Sequence, residues 1–237
     1  MKQSQFYYLL RRGLLKSMSV VKEGLVMFNK FTTAGISHPA QGSAEFDGAS
    51  DYIDTGAQLT STNHTFAAWV YANDDPSTNI IFDNRSASGA NDGILVRMNG
   101  SENIVCNCGT NSISTSDAFT EEWVYVVASY DGTTQKIYTN GSLNQSETTS
   151  QTLTSTANAI IGGRSFDTDL FFNGNLANVA IWNRALSSDE INSVMFKSYD
   201  SLEASEKSGL QAWYRLDDID GTSVPDSSGN GNNGTAY

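Results

Sequence analysis

The sequence predicts an all-β fold, and three observations carry that expectation. Short stretches of strand-forming residues recur from residue 44 onward. Turn dipeptides such as Asp131-Gly132 and Asn140-Gly141, which tolerate positive φ, separate them. The composition holds 20 Gly but 3 Pro, which suits many turns and no Pro-rich linker. Residues 65–71 (TFAAWVY) show the pattern best. Phe66, Ala68 and Val70 point one way and Ala67, Trp69 and Tyr71 the other. Both sets are apolar, as expected of a strand covered on both faces.

The elements follow in order. In residues 3–20, Phe6, Leu10 and Leu14 recur at four-residue spacing beside Leu9, which favours a helix weakened by Gly13. Gly24, Gly35, Pro39 and Gly42 break residues 24–43. Residues 1–43 therefore read as a basic arm or docking segment, and residues 44–237 as the domain. Within the domain, strands are expected around the Gly48 turn in residues 44–56, then in 65–71, 79–85, 93–100 and 103–109. Residues 123–146 carry the turns Asp131-Gly132 and Asn140-Gly141 with a strand between them in which Lys136, Ile137 and Tyr138 alternate, and another strand covers 159–165. Residues 172–194 combine a buried strand ending at Trp182, a polar break at Asn183-Arg184, and a helix near 187–199. Ser187 and Glu190 stand three apart, the spacing of a capping box, ahead of an apolar face of Ile191, Val194 and Met195. Residues 201–209 read as a polar link.

Charge separates the arm from the domain. Residues 1–30 hold six basic groups (Lys2, Arg11, Arg12, Lys16, Lys22, Lys30) against one acid, Glu23, in a chain whose net charge is −12. The acidic domain is not expected to bind nucleic acid, since polyanions repel it. The arm is too short and too charged to span a bilayer, and Arg11, Arg12 and Lys16 interrupt any secretory apolar core. Cys106 and Cys108, the only cysteines, sit at i and i+2 and read as small buried apolar residues rather than a disulfide. With only His38 and His64 available, a zinc cluster is not expected. Neither a phosphate-binding loop nor a serine nucleophile elbow is found.

Several segments then resemble one family. FDGASDYI (46–53), the strand TFAAWVY, and WVYVVASYDGTTQKIYTNG (123–141) match its motifs in succession. FNGNLANVAIWNRALSSDEI (172–191) resembles its closing strand and short helix. The sequence is thus similar to laminin-G-like domains of the concanavalin A-like lectin and glucanase group. The resemblance implies a two-sheet antiparallel jelly-roll sandwich over about residues 44–237. GLQAWYRLDDIDGTSVPDSSGNGNNG (209–234) resembles the family's opening segment, yet here it follows the closing helix. Either a permuted or swapped first strand is supplied from residues 209–237, which in trans would make a homo-oligomer, or residues 24–31 are the opening strand and 209–237 belong to a second repeat.

The resemblance also sets functional expectations. Such domains mostly bind, and a few relatives are enzymes. Catalysis on a glycosidic bond needs two carboxylates flanking it. No alternating run of acids is present, and Glu121-Glu122 are adjacent and point apart, so no enzyme is expected. Many such domains hold a rim calcium through oxygen ligands. Asp226 with Asn230 or Asn232, and Asp47 with Asp51, are the matching positions, although Ala177-Asn178 stands where relatives carry acids. The competing role for these groups is hydrogen bonding to local backbone. A sugar platform would draw on Tyr52, Trp69 and Tyr138. The family's extracellular habit, with a basic arm and no secretion signal, points to a virion: a non-enzymatic structural protein made in the host cytosol and shown on the virion surface. Phe6, Leu9, Leu10, Arg11, Arg12 and Leu14 would dock it to other virion proteins, leaving the domain to bind cell-surface glycans. A carbohydrate-binding module or glycoside hydrolase, and a bacterial surface adhesin, are the alternatives.

Overall fold

The computed structural model describes residues 20–22, 25–27, 42–59, 61–73, 79–164, 166 and 170–237. Its strands in chain order are β1 (Val20–Lys22), β2 (Leu25–Met27), β3 (Ala44–Asp47), β4 (Ile53–Gln58), β5 (His64–Ala72) and β6 (Asn79–Asp83). Next come β7 (Ile94–Met98), β8 (Asn103–Cys108), β9 (Asn111–Ala118), β10 (Trp123–Tyr130), β11 (Thr134–Thr139) and β12 (Ser142–Thr148). The last are β13 (Asn158–Ile161), β14 (Asn173–Trp182), β15 (Leu210–Tyr214), β16 (Ser223–Val224) and β17 (Gly234–Ala236).

Two antiparallel sheets form the sandwich. One runs β12-β11-β10-β5-β14-β15, with β3 also on β14; the other runs β16-β17-β4-β13-β6-β7-β8-β9. The inner core between them takes alternate residues from each, including Phe66, Phe82, Val96, Val126, Ile137, Ile161, Ile181 and Tyr214. The double-sided pattern of β5 has a physical cause in this arrangement. Phe66, Ala68 and Val70 enter the inner core, while Ala67 and Trp69 enter a second core on the outer face of the seven-stranded sheet.

Helix α1 (Ser188–Val194) roofs that second core. The Ser187–Glu190 capping box forms as expected, and Ile191 and Val194 are buried. Two indoles fasten the roof: Trp69 Nε1 donates to the Met195 carbonyl at 2.9 Å, and Trp182 Nε1 to the Glu206 carbonyl at 2.8 Å. Residues 201–209, read as a link, contain helix α2 (Ala204–Lys207). Glu206 makes this turn stable, because its buried carboxylate accepts from the Glu203 N–H at 2.7 Å and pairs with Lys197 at 2.7 Å.

The ends of the domain meet on β14. Strand β3 pairs with its first half (Gly174↔Phe46) and β15 with its second (Ala180↔Trp213), so β3 and β15 lie along one edge of the same strand. Residues 25–27, part of the alternative opening strand, pair instead with residues 20–22 in a separate two-stranded sheet. The expected helix over 3–20 and the docking residues Phe6, Leu9, Leu10, Arg11, Arg12 and Leu14 lie outside the described residues, save Val20 in β1. Strand β9 went unforeseen because it is polar and exposed at most positions, with only Ile113 and Thr115 turned inward. Among the described residues, no helix is long and apolar enough to cross a membrane.

Candidate functional site

The positions expected to hold calcium have other employment. Asp226 Oδ1 accepts from the backbone N–H of Trp213 and Ser228, each at 2.9 Å, and Oδ2 from Ser228 Oγ at 2.8 Å and Asn232 N–H at 3.2 Å. Asn230 Nδ2 donates to the carbonyls of Leu210 and Gln211, and Asn232 Nδ2 to Gln211. The loop thus caps the outer edge of β15 with side chains. Asp47 Oδ1 accepts from the N–H groups of Ala49, Ser50 and Asp51, while Asp51 Oδ2 accepts from the Asp47 N–H. Those backbone donors hold the Asp47 carboxyl down at about 2. Hydroxyls add to these backbone donors: Ser50 Oγ donates to Asp47 Oδ2 as Ser228 Oγ does to Asp226 Oδ2. Among the described residues, no three His, Cys, Asp or Glu side chains converge on a metal position.

The three aromatics expected to hold sugar do not gather. Trp69 is fully buried beneath the roof helix, with Phe196 5.7 Å away across it. Tyr138 is buried in the same core. Both are lost as platforms because each lies on the roofed face of the seven-stranded sheet. Tyr52 is the exception. It precedes β4, is partly exposed, and stacks on Tyr237 (ring centroids 4.8 Å apart, 9° between planes) and on Phe171 (6.2 Å, 27°). Tyr237 is 63% exposed and carries the open ring of this ladder.

The strand register places the ladder on the outer face of the eight-stranded sheet. Ile53, Ile161, Phe82 and Val96 face one another across four strands and point into the inner core. Asp54, Ile160, Asp83 and Leu95 form the neighbouring row, and alternation turns that row outward. By the same alternation Tyr52 and Arg97 also face outward, on strands three spacings apart, or about 14 Å. Gly162, at φ +80°, and Gly163 lie between them. A Cβ on Gly163 would stand 3.0 Å from the Phe171 ring and 3.1 Å from Tyr52 Cβ. The stricter requirement is at Gly162, whose positive φ disfavours side chains and whose Cβ would run into the Phe46 ring.

Three arginines converge on this face. Arg85 grips Asp83 at two points, Nε to Oδ1 at 3.0 Å and Nη2 to Oδ2 at 2.7 Å, and its own N–H donates to Oδ1 at 2.9 Å. The Asp83 side chain is 1% exposed. Burial pushes its carboxyl up, while Arg85 and the nearby charge of Arg164 pull it back. Arg164 lies 5.4 Å over the Phe166 ring. Arg97, flanked by inward Val96 and Met98, is partly exposed, and burial together with the charge of Arg85 lowers its pKa.

These residues were not singled out from the sequence. One signal was available: Arg97 interrupts the apolar strand ILVRM, and only five arginines lie beyond residue 30. Of those five, Arg184 and Arg215 pair with Glu190 and Asp217; the other three are the outward cluster. His64 is buried, and that burial drives its pKa down to about 4. Burial likewise pushes the Cys106 and Cys108 thiols up to about 12, so neither is nucleophilic.

Two antiparallel sheets packed as a sandwich are the architecture of a concanavalin A-like jelly roll. The family model of the concanavalin A-like lectin/glucanases superfamily matches residues 47–192, and the chain belongs to that superfamily. No curated protein matches it. Solved structures share the fold at low identity. A candidate carbohydrate-binding protein from Bacteroides ovatus has a TM-score of 0.64 and 19% identity, over 82% of this chain and 57% of its own. The chain therefore spans a little over half the length of that protein. The CBM40 of a Ruminococcus gnavus IT-sialidase, bound to α2,3 sialyllactose, has a TM-score of 0.55 and 13% identity, over 65% of this chain and 96% of its own. A heptameric SAP-like pentraxin from Limulus polyphemus has a TM-score of 0.53 and 16% identity, over 64% and 80%.

Proposed function

We propose that the domain is a non-enzymatic glycan-binding module whose ligand lies on the outer face of the eight-stranded sheet. The observation that carries this reading is the stacked ladder of Phe171, Tyr52 and Tyr237, whose end ring, Tyr237, is exposed. A flat aromatic face offers a sugar ring a large apolar contact. The sialyllactose-bound CBM40 and the Bacteroides protein support the reading, since both are tied by name to carbohydrate. A glycan array with the full chain tests it. Binding that falls at least tenfold in Tyr237→Ala supports the module; no retained glycan at any concentration tried overturns it.

The basic arm on an acidic domain favours a finer proposal, that the module is displayed on a virion surface with residues 1–30 as its anchor. Deleting residues 1–30 should then release it from particles. Unchanged particle association rejects the anchor.

A further inference from the structure

We propose a second ligand site, a pocket at the far end of strand β4 from Tyr52, which takes the hydroxyl-bearing edge of one uncharged sugar residue. Leu59 and Trp182 form its apolar part. Ser61, Asn63, Asn183 and Gln211 form its polar part, with the ring of His64 beside them. Tyr52 precedes β4 and Leu59 follows it, and the six residues between span about 20 Å. The pocket is therefore separate from the face of Tyr52 and Tyr237, and it stands or falls apart from the reading given above. The first argument is the chemistry of the lining. None of these residues is charged at pH 7, because burial keeps His64 neutral there. A carboxamide both donates and accepts hydrogen bonds, as does the Ser61 hydroxyl. A sugar hydroxyl needs both kinds of partner, whereas an ionic group would find no counter-charge in the lining.

The second argument is that these groups are held in place yet uncommitted. The Asn63 and Asn183 side chains are exposed and hydrogen-bond to none of the described residues. Ser61 Oγ donates to the Asn183 carbonyl at 3.2 Å and Gln211 Nε2 to the Gly209 carbonyl at 3.3 Å, so the Ser61 and Gln211 oxygens keep their acceptor capacity. The backbone presses close to both asparagines. A Cβ on Gly209 (φ +75°) would stand 2.6 Å from Asn183 Oδ1, and one on Gly132 (φ +91°) 3.0 Å from Asn63 Oδ1. The two glycines let the chain confine these carboxamides, which lowers the entropy a ligand must remove to order them.

The third argument is size. The pocket has a volume of about 50 Å³, room for about four waters. A whole sugar ring is too large for it, whereas two neighbouring hydroxyls fit and would displace that water. The Leu59 and Trp182 side chains then meet the ring carbons that bear them.

Nuclear magnetic resonance on the full chain tests the site, with galactose, glucose, mannose and N-acetylglucosamine as neutral probes and glucuronate as the charged one. At least one neutral probe should shift the carboxamide signals of Asn63, Asn183 and Gln211 and saturate with a Kd of about 1–10 mM, the strength of a few neutral hydrogen bonds. Asn63→Ala and Asn183→Ala should each weaken that probe about threefold to tenfold. Both side chains are exposed, so the backbone signals elsewhere should stay in place. Gln145→Ala, on exposed strand β12, should leave binding as it was. No carboxamide shift with any neutral probe at about 100 mM overturns the site. Shifts that both asparagine variants leave unmoved, but that Tyr237→Ala abolishes, belong to the other face and overturn the pocket while leaving the glycan module standing. Glucuronate binding more tightly than every neutral probe overturns the uncharged class. Saturable pocket shifts beside a glycan array that retains nothing reject the Tyr237 face and support this site.

Discussion

Trp182 and Glu206 are joined by a 2.8 Å hydrogen bond from the indole Nε1 to the backbone carbonyl, so the end of strand β14 holds the short helix α2 in place. Both residues are buried. Trp182→Phe would keep much of the ring volume but strand the Glu206 carbonyl without its donor. Leaving such a group unsatisfied costs about 1–3 kcal/mol. Urea unfolding monitored by circular dichroism should show that loss as a lower midpoint with little change in slope. Trp182→Ala should cost more, about 3–5 kcal/mol, by opening a cavity under the roof.

Stability should fall in acid over two windows. Buried His64 has its pKa lowered to about 4, so the native state resists a proton that the unfolded chain accepts near 6.5. Its contribution is present above about pH 6.5 and is lost as pH falls toward 4. Glu190 is held down at about 2, first by hydrogen bonds from Arg184 and also by the Ser187 N–H. Its contribution is full above the ordinary carboxylate range and disappears as pH falls toward 2. Thermal melts from pH 7 to 2 should resolve both, with His64→Asn flattening the upper window and Glu190→Gln the lower.

The capping loop gives a local prediction. Asp226→Ala removes the acceptor shared by Trp213, Ser228 and Asn232, and so loosens the edge of β15. Loss of a charged acceptor of backbone N–H groups costs about 1.5–3 kcal/mol. Hydrogen exchange at the Trp213 amide should accelerate far more than exchange at Val126 in the sheet centre.

The thiols should be silent. Cys106 and Cys108 are buried in the inner core with pKa values near 12, so a thiol reagent at pH 8 should label neither until denaturant is added. Labelling of the native protein at the rate of a free thiol would contradict their placement.

Much of this fold was legible because its strands advertise themselves. TFAAWVY announced a strand covered on both sides, and the core residues divide between two layers along it. The capping box of Ser187 and Glu190 is equally local, and it formed as read. The site was harder. Nothing in the neighbourhood of Trp69 or Tyr138 says which outer face a helix will roof, since that depends on residues 188–207 folding back. Tyr52 and Tyr237 stack from opposite ends of the domain, and the cluster of Arg85, Arg97 and Arg164 needs the register of three strands to exist at all. Asp226 reads from the sequence either as a cation ligand or as an acceptor of local backbone N–H groups, because both tasks use the same oxygen-rich loop; the second is the one visible in its bonds to Trp213, Ser228 and Asn232.

The unequal outer faces of the sandwich give the molecule a front and a back. One sheet is sealed under α1 and α2 by two indole bonds, so that side is spoken for. If the proposed binding face is the open one, any scaffold that carries the domain has to hold it by its roofed side, because a mount on the other side would cover Tyr237.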